Sequence, residues 1–157
     1  MSELEVRFIK LEPLRMASFW GFGAQPENIA WSKLEAWAKP RGLFGDLVNH
    51  PVYGFNNPNP SHGSPNYGYE VWIEVGPEVE PEGDMRIVDF CGGNFAVTRC
   101  DVPKGDFSVI FDTWQKLVAW QEASKYKYGN HQCLEKSVPY DTPGLEFALD
   151  LMLPITD

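Results

Sequence analysis

Trp31-Ser32-Lys33-Leu34-Glu35-Ala36-Trp37 and Trp114-Gln115-Lys116-Leu117-Val118-Ala119-Trp120 are one heptapeptide occurring twice, identical at five of seven positions at an offset of 83. Apolar residues at helical spacing surround each copy, over about Ile29 to Ala38 in the first and from beyond Pro103-Lys104-Gly105 to about Ser124 in the second. Trp and Leu three apart share a helix face, so Trp31 with Leu34 and Trp114 with Leu117 read as core. Trp37 and Trp120 read the same way. Pro26 occupies a first-turn position, and Pro40 with Gly42 ends the first helix.

Working outward, the repetition continues in the flanking strands. Arg7, Phe8, Met16 and Ala17 match Arg86, Ile87, Phe95 and Ala96 at an offset of 79. Tyr69-Glu70 and Ile73-Glu74-Val75 match Leu145-Glu146 and Leu149-Asp150-Leu151 at an offset of 76. Offsets that drift in order along the chain are what loops of unequal length produce. The expected fold is therefore α+β, a duplicated strand–helix–strand–strand module with repeat halves of about 4–76 and 85–154, in one domain over 1–157. One helix per half covers one face of an antiparallel sheet. Two halves about a pseudo-twofold axis would leave helices on one side and a ligand cleft on the other.

The strands expected are Leu4–Leu11, 14–22, 51–55, Tyr69–Val75, Met85–Phe90, Phe95–Cys100, 132–137 and 145–153. Tyr69, Val71, Ile73 and Val75 alternate with Glu70, Trp72 and Glu74, the pattern of a strand with one face on a core. Asn56–Asn66, rich in Asn, Pro, Ser and Gly, reads as an exposed loop, and Gly92-Gly93-Asn94 as a hairpin turn.

Composition bounds the function. The 157 residues carry 43% apolar and 22% charged side chains, a globular balance. The formal charge of −9 and the lack of a basic run argue against direct nucleic acid binding and favour cationic partners. Aromatic residues make up 14% of the chain, a surplus that suits an apolar pocket. No transmembrane stretch or secretory pattern is present in the sequence, and three cysteines form no CxxC pair, so the expectation is a reduced, cytoplasmic protein with no membrane partner. His50, His62 and His131 have no metal-ligand spacing, so no metal and no cofactor is expected.

The duplicated order resembles the GyrI-like small-molecule-binding family, which includes effector-binding domains of AraC-type and MerR-type multidrug regulators and stand-alone proteins. The likeness is carried by Met85 to Cys100, by Phe111-Asp112-Thr113-Trp114-Gln115-Lys116-Leu117-Val118-Ala119-Trp120, by Leu134-Glu135, and by Leu151-Met152-Leu153-Pro154-Ile155. The resemblance implies a domain that binds small, cationic, aromatic or lipophilic molecules, with an acidic residue on the strand after the second helix meeting the charge. That residue is Glu135: if Leu134 packs beneath the second helix, Glu135 faces the cleft. Trp72 is the candidate stacking face, with Tyr69, Phe55, Tyr53 and Trp20 as further ligand-binding candidates. No catalytic residue is assigned. The resemblance also implies two alternatives. One is hydrolysis of electrophilic cyclopropane-type natural products by cleft glutamates, with Glu135 activating water as general base and Glu70 or Glu74, which flank Trp72, as the second acidic group. The other is a protein-interaction role resembling gyrase-inhibitory relatives, through the cleft or the Asn56–Asn66 loop, with a regulator protein as candidate partner.

Overall fold

The structure, a computed structural model, describes residues 4–156. In chain order its elements are β1 (Arg7–Leu11), β2 (Leu14–Gly23), α1 (Pro26–Ala38), β3 (Val52–Asn56), β4 (Tyr67–Glu74), β5 (Arg86–Phe90), β6 (Gly93–Pro103), α2 (Ser108–Ala123), β7 (Lys127–Tyr128), β8 (Leu134–Val138) and β9 (Leu145–Thr156). The fold is α+β with antiparallel pairing throughout the described ladders. Two compact units divide the chain: the contiguous stretch Leu14–Phe90, and a split unit that joins the chain before Leu14 to the chain after Phe90.

In the contiguous unit the strand order is β3-β4-β2-β5, and α1 packs on one face. Pro26 starts α1 because its missing N–H and fixed φ suit the first turn, and Glu27 complements the positive helix end. Ala30, Leu34, Trp37 and Ala38 form its buried stripe, set against Ala17, Phe19, Val52, Val71 and Ile73 of the sheet. A short 3-10 turn, Lys39–Arg41, continues the helix until Gly42 adopts a left-handed φ of 71°. Arg15 Nη1 then donates to the carbonyls of Gly76 and Val79 at 2.7 Å each, pinning the connection from β4 to β5.

In the split unit the order is β1-β6-β9-β8, with β7 pairing the far end of β9. Leu117 of α2 sits in the core with Ala96, Cys100, Val102, Leu149, Leu151 and Leu153. Helix α2 is only lightly buried, through Leu117 and Gln121, and aromatic contacts extend its grip. Trp120 lies 5.9 Å from the ring of Phe8 and 6.2 Å from that of Tyr126.

Two of the residue pairs matched in sequence have comparable placements. Ala17 and Ala96 both face the helix of their unit. Arg86 lies opposite Ser18, and Arg7 opposite Val97, so β5 stands to β2 as β1 stands to β6.

This pairing corrects two expectations. The compact units do not coincide with halves 4–76 and 85–154, since β1 belongs with the later strands and β5 with the earlier ones. Nor is Gly92-Gly93-Asn94 a hairpin turn, because β5 and β6 are not neighbours. Both strands are taken by distant partners, and the chain passes at Cys91-Gly92 from one unit to the other.

Candidate functional site

Alternation along β4 sets its two faces. Tyr69, Val71 and Ile73 join the cluster under α1, so Glu70, Trp72 and Glu74 stand on the helix-free face. Directly opposed residues of an antiparallel pair share a face. Trp20 and Phe55 oppose Glu70, while Ser18 and Tyr53 oppose Trp72. Arg86 opposes Ser18 from β5, which adds it to the same surface.

Glu70 is the centre of this group and is 3% exposed. Its Oε2 accepts from Ser18 Oγ and from Trp72 Nε1, each at 2.6 Å. Its Oε1 accepts from Asn57 Nδ2 at 2.9 Å and faces Arg86 Nη2 at 3.4 Å. A carboxylate buried without partners costs several kcal/mol, roughly, and charge-assisted hydrogen bonds offset that cost. Here every donor has a sequence reason: Ser18 and Arg86 arrive by register, Trp72 by period two, and Asn57 by following β3.

Aromatic rings wall the acid. Trp72 meets Phe55 edge-to-face with centroids 4.8 Å apart and lies 5.4 Å from Phe90. Tyr53 is buried, and desolvation, with the charge of Glu74 second, pushes its hydroxyl up to about 12. Trp20 is 41% exposed; its indole donates to the Asn57 carbonyl at 2.7 Å and its ring stacks with Phe22. Strand β5 pairs only with Leu14–Ser18, so no β5 residue pairs with β2 at Trp20. Trp20 and Arg86 therefore mark the accessible end of the group.

Of the residues singled out from sequence, Trp72, Phe55, Tyr53 and Trp20 converge here. Tyr69 does not. It packs on the α1 face with its hydroxyl over Gly54, where any side chain would collide with it. Glu135 does not either. Its pairing partner Leu151 and its neighbour Cys133 belong to the α2 cluster, whereas Leu134 opposes Met152 on the other face. The condition that Leu134 lies beneath α2 is thus reversed, and Trp114 Nε1 of α2 donates to Glu135 Oε2 at 2.9 Å. Burial first, and the charge of Glu135 second, push the Cys133 thiol up.

Ser18, Asn57 and Arg86 were not singled out from sequence, and Glu70 was named only as a companion acid. The alternation already put Glu70 and Trp72 on one face; what it did not carry was the burial of that face. His131 lies in the split unit with its ring 4.6 Å from Phe95, and burial lowers its affinity for a proton. Among the described residues no three His, Cys, Asp or Glu side chains gather as metal ligands, and no helix is long and apolar enough to cross a membrane.

Solved structures share this fold. The EcmrR C-terminal domain superposes with a TM-score of 0.70 at 11% identity, covering 98% of each chain. In an EcmrR–DNA complex the match has a TM-score of 0.69 at 11% identity, with 96% of this chain spanning 57% of the EcmrR chain. A hydrolase from Listeria innocua matches with a TM-score of 0.65 at 13% identity, over 99% of this chain and 94% of that one. SAV2435 bound to tetraphenylphosphonium matches with a TM-score of 0.60 at 11% identity, over 98% and 94%. At such identities the likeness establishes the fold. No curated protein matches the sequence. The family profile described as GyrI-like small molecule binding domain matches residues 4–156, and the chain belongs to that family.

Proposed function

We propose that the protein binds a small aromatic or lipophilic cation, and that the helix-free face of the Leu14–Phe90 unit is its seat. The observation that carries this reading is Glu70, a buried carboxylate among Trp72, Phe55, Tyr53 and Phe90. A weakly hydrated cation gains there from the fixed negative charge and from ring faces at once. Trp20, partly exposed and opposite Glu70, is the ring a ligand meets first. The family's description as a small molecule binding domain supports the class of function, and the tetraphenylphosphonium carried by SAV2435 supports the choice of a cation. Sensing or sequestration of such a molecule follows from binding alone.

Glu135 gives the second reading. It too is a carboxylate beside an indole, that of Trp114, on the helix-bearing face of the split unit. Hydrolysis draws less support. Both oxygens of Glu70 already accept from protein donors, an arrangement that suits holding a charge more than taking a proton from water.

Titration of the protein with tetraphenylphosphonium and with neutral 4-phenylpyridine at pH 8 tests the choice. Glu70→Gln is expected to weaken the cation by roughly tenfold and the neutral compound within twofold. Equal losses for both would overturn the reading. A selective loss in Glu135→Gln, with Glu70→Gln unaffected, would transfer it to the split unit.

A further inference from the structure

We infer that Arg86 is a built-in competitor for the Glu70 site, an exchangeable counter-ion that a bound cation displaces; this rests on Glu70 being the group that meets the ligand's charge. The four partners of Glu70 are not equivalent. Ser18, Trp72 and Asn57 are neutral donors at 2.6 to 2.9 Å. Arg86 is the charged one and the most distant, at 3.4 Å, and its side chain is 62% exposed against 3% for Glu70. The three neutral donors hold the carboxylate's position; the guanidinium supplies the compensating charge.

A second cation brought to the same carboxylate meets the guanidinium as a like charge, and the two repel at contact distance. Arg86 can retreat because its long side chain rises from an edge strand and is 62% exposed. Swapping a hydrated guanidinium for a hydrated small cation gains little. The exchange becomes favourable for a cation that also covers the exposed ring of Trp20, which lies opposite Glu70. Arg86 therefore sets specificity: it raises the threshold for every cation and so passes only those with large apolar surface. Neutral aromatic molecules do not compete with it.

Calorimetric titration of the full chain with tetraphenylphosphonium, tetramethylammonium and neutral 4-phenylpyridine at pH 8 tests the inference. Arg86→Ala is expected to bind tetraphenylphosphonium about three- to tenfold more tightly and to gain measurable tetramethylammonium binding. Affinity for 4-phenylpyridine should stay within twofold. Arg86→Lys should fall between wild type and Arg86→Ala, and Arg86→Gln, which keeps the Cβ–Cδ stem without the charge, guards against a packing loss in Arg86→Ala. Cation binding seen in the Arg86 variants alone would also support the inference. Unchanged or weaker cation binding in Arg86→Ala and Arg86→Gln, with Glu70→Gln still selectively impaired, would overturn it and leave the Glu70 reading standing. Cation binding that ignores Glu70→Gln, or is missing from wild type and Arg86 variants alike, would overturn both.

Discussion

Trp114 Nε1 and Glu135 Oε2 lie 2.9 Å apart, and this hydrogen bond fastens α2 to β8 within the split unit. Helix α2 buries Leu117 and Gln121 and packs Val109, Ile110 and Trp120 less deeply, so a polar tether at Trp114 adds to a modest apolar attachment. Trp114→Phe keeps most of the ring contact and removes the donor. It should destabilise the protein by about 1–2 kcal/mol in urea unfolding. Glu135→Gln should change stability while leaving tetraphenylphosphonium affinity within twofold.

Removing the carboxylate of Glu70 leaves the buried donors of Ser18 and Trp72 without their acceptor and frees Asn57. Glu70→Ala should therefore cost about 2–4 kcal/mol. Glu70→Gln keeps one acceptor oxygen and should cost less. Thermal unfolding of the two variants beside wild type reads the difference, and equal melting temperatures for all three would contradict the hydrogen-bond assignment.

Tyr53 gives a pH dependence of definite sign. Its ionisation is raised from 10.0 to about 12 in the folded protein, first by burial and second by Glu74. The unfolded chain ionises earlier and is favoured in that window. The stability tied to the neutral phenol is whole below pH 10 and is lost as pH rises to about 12. Tyr53→Phe should flatten the fall in stability over that range relative to wild type.

Gly92 adopts a φ of 77°, and a Cβ there would strike the Leu11 carbonyl oxygen. Both strain and collision oppose any side chain at this position. Gly92→Ala should destabilise by about 2 kcal/mol or more, whereas Gly63→Ala, at a similar φ with open space around it, should show the conformational cost alone.

What could be read in the sequence depended on how pure each local pattern was. Strand β4 alternates cleanly, so Val71, Ile73 and Trp72 could be assigned to faces, and the tryptophan heptapeptide located both helices. Strand β8 offered no such purity. Cys133 and Leu134 are both apolar and adjacent, so either parity could face α2, and only the pairing of Glu135 with Leu151 resolves it. Tyr69 sits near the start of β4, where a tyrosine suits either side; the space over Gly54 decides its place. The turn chemistry of Gly92-Gly93-Asn94 pointed to local pairing, yet β2 and β1 outcompete it from far along the chain. The burial of Glu70 depends on donors from three other segments, at Ser18, Asn57 and Arg86, which no local pattern contains.

The exchange of edge strands sets an order of assembly during synthesis. The Leu14–Phe90 unit is continuous, so all its strands and its helix have been made once Phe90 is added, and it can close while later residues are still being translated. The other unit cannot. Arg7–Leu11 is made before the contiguous unit, yet its ladder partner begins at Gly93, and β9, the strand that flanks β6 on its other side, ends at Thr156. Strand β1 waits for its ladder partner while the Leu14–Phe90 unit is made, a short edge segment with Arg7 and Lys10 among its five residues, charges that discourage mispairing with other nascent chains. The segment that precedes the contiguous unit in the chain thus finds its ladder only after that unit has been made.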